Sequence, residues 1–153
     1  MAWPAHRLAA AAVLVLGIYL QVVAWVDLYP WNDVRRSDGQ ETLDVLAAAA
    51  TGVLTGALWV SRVWAPLLSA MALSMWAWLQ AMTWWAPYFA GAPPGWQAVY
   101  GLWFENTVHV LPRDARHLPP DANHLTLHLL IVAALAASLL AAWRGLSPGQ
   151  DAR

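Results

Sequence analysis

Four long apolar stretches, at 8–26, 43–60, 63–85 and 125–143, alternate with polar connections and fix what this chain can become. Each approaches the ~20 residues that a helix needs to cross the hydrocarbon core of a bilayer. With four crossings, the two long connections, 27–42 and 86–121, fall on the same side. Eight of the nine carboxylates and four of the five histidines lie in those connections or within about two helical turns of them. One face therefore carries nearly all the ionisable chemistry. The sequence predicts an all-α fold, a four-helix transmembrane bundle running up-down-up-down. It forms a single integral membrane domain over 1–153, with spans near 8–26, 43–60, 63–85 and 122–143.

Composition agrees: 60% of the 153 residues are hydrophobic and 11% are charged, against about 25% charged in soluble domains. All eight basic residues are Arg, and the net charge is −1. No basic stripe exists to follow a phosphate backbone, which argues against nucleic-acid binding. The absence of cysteine excludes disulfides, thiolate metal sites and thiol redox chemistry. The first stretch resembles a signal sequence, with Arg7 before an apolar run and Val22-Val-Ala24 as a cleavage-like triplet. It continues apolar to Val26, long enough to span, and is read as a retained first helix.

Along the chain, Pro30 with Asn32 and Asp33 ends the first helix, and Thr42 or Asp44 can cap the second. Ala48, Gly52 and Gly56 share one face of the second helix, and Gly52-Val-Leu-Thr-Gly56 is a GxxxG through which two backbones approach closely in lipid. That face offers helix packing, within the bundle or to a second copy or another membrane protein. Asp44, one turn before Ala48, is expected to point into the bundle. Ser61-Arg62 makes a tight link to the third helix, which is expected to end at Trp84–Pro87. In the next connection, Trp96, Val99, Trp103 and Val110 are spaced for a short helix lying in the interface over 96–110. Asp121 can cap the last helix, and its Ala133/Ala137/Ala141 row offers a second packing face. Arginines number four on each side (Arg7, Arg62, Arg144 and Arg153 against Arg35, Arg36, Arg113 and Arg116). The α-amino group tilts the reading toward cytoplasmic termini.

Candidate chemistry sits on the polar face. His124 and His128 are four residues apart, as are Glu105 and His109, so each pair shares a helix face about 6 Å apart along the axis. Such pairs offer nitrogen and oxygen ligands to a divalent metal, zinc or iron. In this reading His124, His128 and His109 are ligands, and Glu105 or Asp44 is a ligand or a catalytic base. An HxxxH pair lacks the Glu of the zinc-protease pattern, and histidines at helix ends often serve only as caps. His128 lies a turn inside the span, where a polar side chain has a partner. Arg35 and Arg36 can fork onto a lipid headgroup, or can simply pair with neighbouring carboxylates. Most of the twelve Trp map to interfacial belts, with Trp76 and Trp78 alone in mid-helix. No charged residue lies in mid-span, which argues against a coupled transporter.

Trp84-Trp85-Ala-Pro-Tyr88-Phe-Ala-Gly91, then Tyr100, Phe104 and Thr107, Leu111-Pro112, and Pro120-Asp-Ala-Asn-His124 with Leu127-His128 form a distinctive series. In these motifs, over its C-terminal half, the chain resembles a group of small four-helix bacterial integral membrane proteins. That resemblance implies the same layout and no particular activity. The residues themselves lead to a metal-binding membrane protein acting on an amphiphile at the interface. The competing readings are a non-enzymatic subunit of a larger membrane complex and a lipid- or sterol-binding protein.

Overall fold

The computed structural model describes residues 3–34, 41–60 and 63–146. Its helices are α1 (Ala5–Trp25), α2 (Glu41–Val60), α3 (Trp64–Gln80), α4 (Ala86–Ala90), α5 (Pro94–Trp103) and α6 (Ala122–Leu146), and a π-helical turn, Ala81–Trp85, joins α3 to α4. The described residues contain no strand, so the chain is all-α. Ala5–Trp25, Thr42–Val60 and Ala122–Leu146 are long and apolar enough to cross a membrane.

Helix α1 buries Ala5, Ala9, Ala10, Val13, Leu16 and Gly17, a stripe at three- and four-residue spacing. Leu8, Leu14, Val15, Ile18 and Val22 are exposed on its other side. The same holds for α3, with Leu68, Met71, Met75 and Trp78 exposed, and for α6, with Leu129, Val132, Leu139 and Leu140. Apolar outer faces of this extent fit lipid and not water. They mark a membrane protein.

Contacts between helix ends give the directions. Arg7 lies over the Trp59 ring at 5.4 Å, and Gln21 Nε2 donates to the Asp44 carbonyl at 3.2 Å, so α1 and α2 run antiparallel. Tyr19, near the end of α1, donates to Asn123 Oδ1 at the start of α6 at 2.7 Å. Ser69 and Ser138 share a buried hydrogen bond of 3.0 Å between α3 and α6. Helix α1 packs on α2 and α6, α3 packs on α6, and α2 and α3 meet more lightly.

Several expected boundaries move. Helix α2 begins at Glu41, so Thr42 and Asp44 lie inside its first turn and are not its cap. The third helix does not stop at Trp84–Pro87 but continues to Ala90 through the π turn. Pro87 removes an N–H, and its ring crowds the carbonyl four residues back; a wide turn just before it relieves that conflict. The short helix expected over 96–110 is shorter still. It is α5, and it ends at Trp103, after which the Thr107 N–H turns back to the Phe104 carbonyl at 3.2 Å.

Close packing within the chain lies away from the GxxxG face. A Cβ built on Gly52 or Gly56 meets nothing within 4 Å, and both glycines face outward. The tight approach of α1 to α2 is at Gly17, where a Cβ would lie 2.7 Å from Thr51 Oγ1. On α6 the buried row is Ala134, Ser138 and Ala141, and Ala133 is exposed.

Candidate functional site

The polar ends of the helices converge on one cavity of about 550 Å³. The ends of α1 and of the α3–π helix and the starts of α2 and α6 form its walls, and α5 with segment 104–121 folds across it. Backbone bonds fasten that covering segment. Val108 N donates to the Pro30 carbonyl at 3.0 Å, Ala122 N to the Val108 carbonyl at 2.7 Å, and Ala92 N to the Arg116 carbonyl at 2.7 Å. From the other side, the Asn32 side chain donates to the Val23 and Val26 carbonyls at 2.6 and 3.1 Å and accepts from Leu28 N at 3.1 Å. This satisfies carbonyls left over at the end of α1.

Asp121 and His124 form the chemical centre. Asp121 precedes α6 and accepts the His124 backbone N–H at 2.8 Å, as an N-cap should. The same Oδ1 lies 2.8 Å from His124 Nδ1. Oδ2 accepts the Thr107 hydroxyl at 2.8 Å. The carboxylate is 1% exposed. Burial alone would raise its pKa, but His124, by hydrogen bonds and charge, and Thr107 outweigh it and hold the pKa below the ordinary 3.8. An ionised carboxylate only accepts, so Nδ1 carries the hydrogen. An Asp that fixes the tautomer and orientation of a His in this way prepares the other nitrogen to accept a proton, a hydrogen bond or a metal.

Aromatic rings hold that imidazole in place. Its centroid lies 4.1 Å from that of Trp84 and 5.1 Å from that of Phe104. Trp84 is 3% exposed and packs on Trp96 at 5.3 Å and Phe104 at 5.0 Å. Trp84 is therefore a core residue, contrary to its expected place in an interfacial belt. Tyr100 closes the cluster and donates to the Pro119 carbonyl at 2.9 Å; burial pushes its pKa up to about 12. Trp76, Trp96 and Trp103 also line the cavity.

The expected ligands do not assemble. His128 is buried against the π turn, with Nδ1 accepting from Trp85 Nε1 at 3.1 Å and Nε2 3.2 Å from Gln80 Oε1. Both of its nitrogens are engaged, which meets the expectation that it has a partner. His109 lies beside Tyr100, with ring centroids 5.8 Å apart, and its Nε2 is buried without a partner. Burial, then the Arg113 charge, lowers its pKa. Glu105 and His109 follow the end of α5, so they do not share a helix face, and Glu105 is exposed. Asp44 lines the cavity, as does Asp33. Among the described residues, no group of three or more His, Asp or Glu is placed to hold a metal ion. Arg35 and Arg36 lie outside the described residues.

The sequence reading saw Asp121 only as a cap. The signal for more was present, since a cap Asp and a His three residues later are neighbours on the first turn. Comparison with protein-family models, with curated proteins and with solved structures gives no match.

Proposed function

We propose that this is a multi-pass membrane protein that binds an amphiphile at the membrane interface, with the His124–Asp121 pair as the polar anchor for its head group. Four spans are read, α1, α2, the α3–π–α4 helix and α6, as an up-down-up-down transmembrane bundle. The termini are placed on the cytoplasmic side and the cavity on the other. The observation that carries the reading is the cavity itself. It is of small-molecule size, walled by Trp and aliphatic side chains, and His124 is fixed in its lining by a buried carboxylate. Such a mixture suits a molecule with an apolar body and a polar end. Asp33 and Asp44 on the same wall enlarge the polar end of the site.

Mass spectrometry of lipids retained after extraction into native nanodiscs tests this. The wild type should hold a species enriched over the bulk membrane, and Ala47→Phe, which places a ring in the cavity, should lose it. Equal lipid profiles for the two proteins would refute the reading.

A further inference from the structure

Exposure is uneven around the cavity. Among the described residues that line it, three are themselves exposed: Leu43 on α2 at 66%, Leu79 on α3 at 49%, and Thr83 in the π turn. The lining side chains from α1, the 32–34 turn, α5, segment 104–121 and α6 are all buried or half-buried. Residues that touch both a cavity and its surroundings mark its mouth, so the mouth lies between α2 and α3.

The helix faces explain the gap. Leu43, Ala47, Leu54 and Leu58 fall on one face of α2. At one end of that face Leu58 is fully buried, and Leu54 packs on the core that holds Ala65 and Leu73 of α3. At the other end Leu43 and Ala47 line the cavity instead. Only residues 61–63 separate the two helices, which ties them at the first end, and over their length α2 meets α3 lightly. Leu43 stands within the apolar span Thr42–Val60. Leu46 of α2, Met75 of α3 and Met82 of the π turn are exposed beside the rim. On the transmembrane reading above, such a mouth gives onto the bilayer and not onto water.

We infer that the cavity loads sideways through the gap between α2 and α3, and that its ligand is a long-chain amphiphile already dissolved in the membrane. This rests on the amphiphile-binding reading and adds the source of the ligand and its route. A chain carried through water would expose each of its methylenes at a cost. A chain that slides between Leu43 and Leu79 keeps apolar surroundings throughout. Its polar end passes the rim to the wall formed by Asp44, Gln80 and His124, and its tail extends back through the gap.

Photolabelling in phosphatidylcholine nanodiscs tests the route. The chain has no cysteine, so Leu43→Cys, Leu79→Cys and Met71→Cys each carry a single thiol. Met71 is exposed on α3 and does not line the cavity, which makes it the control. All three side chains are exposed, so the fold tolerates these exchanges. Each variant is modified with fluorescein maleimide in detergent, checked by mass, and reconstituted with hexadecanol bearing a mid-chain diazirine. After irradiation, mass spectrometry reads the label on Leu20 and Leu127, which line the cavity from α1 and α6. Wild type and the adduct at 71 should label there alike, whereas the adducts at 43 and 79 should label several-fold less; Ala47→Phe should lose the label. Cavity label that the rim adducts reduce no more than the adduct at 71 does, but that Ala47→Phe removes, overturns the lateral route and leaves the binding reading standing. Thiols at 43 and 79 that fail to react while the one at 71 reacts also overturn the route, because the rim is then covered. Cavity label absent from every protein, or untouched by Ala47→Phe, overturns both. The route is read from the adducts against wild type, so it stands even if Ala47→Phe fails to fold.

Discussion

Gly17 presses on Thr51 so closely that a Cβ at position 17 would lie 2.7 Å from Oγ1 and 3.0 Å from the Thr51 Cβ. The hydroxyl cannot swing away cheaply, because it donates within its own helix to the Ala47 and Ala48 carbonyls, at 2.8 and 3.1 Å. Gly17→Ala should therefore destabilise the protein by about 1–3 kcal/mol, the usual cost of overpacking. Thr51→Ala added to it should recover part of that loss. Gly52→Ala and Gly56→Ala should stay within about 0.5 kcal/mol of wild type, as substitutions into open space do. Thermal unfolding of the four variants in one detergent measures all of this. Equal losses at positions 17, 52 and 56 would place the close contact on the wrong face.

Acid should weaken the polar end first. The folded-state pKa of Asp121 lies below 3.8, so its contribution is complete above about pH 5 and fades as pH falls through the unfolded value toward the lower folded one. Asp114 acts in the same direction at the surface. The backbone N–H groups of His117 and Arg116, and then the His117 ring, hold its pKa at about 2. Asp121→Asn should flatten the acid limb of a Tm-against-pH curve and cost about 1 kcal/mol near neutrality, the size of a lost helix cap. Asp114→Asn should change the neutral Tm little. An acid limb unchanged in Asp121→Asn would show that the carboxylate titrates alike in both states.

Trp85→Phe removes the indole N–H that His128 Nδ1 accepts, and His128→Leu removes the other partner. Interhelical polar contacts in membranes average about 0.6 kcal/mol and reach about 1.7. A double-mutant cycle on this pair should fall in that range, and a coupling of zero would dismiss the bond. Since both His128 nitrogens are engaged, added zinc should raise the wild-type Tm no more than it raises that of His128→Leu. A zinc-dependent gain lost in that variant would mean that the imidazole leaves Trp85 or Gln80 to ligate a metal.

Helix positions were legible because apolar length is a property of single segments, and three of the four expected spans recur with ends shifted by a few residues. The Asp121 cap was legible for the same reason, being local. Gly52 and Gly56 leave their GxxxG face open within the chain, because close approach needs two surfaces; Gly17 has no such spacing and was decided by Thr51 on another helix. The Glu105/His109 pairing failed where Thr107 captured the Phe104 carbonyl, a capture completed by Asp121 from beyond the loop. Trp84 looked interfacial by position along its helix, and only the fold of 94–121 over that end buries it. What could not be read was each time a contact between distant segments.

The π turn has one more effect. On a regular helix, adjacent residues point about 100° apart, so Trp84 and Trp85 would not be expected to address one neighbouring helix together. Here Trp84 meets His124 and Trp85 meets His128, two histidines one turn apart on α6. The wide turn inserts an extra residue into the helix, so the residues after it are out of phase with those before it. Deleting a single residue within 81–83 would restore the regular count and rotate both indoles by about 100° relative to α3. The reading frame of the two rings is thus set by the length of one backbone turn.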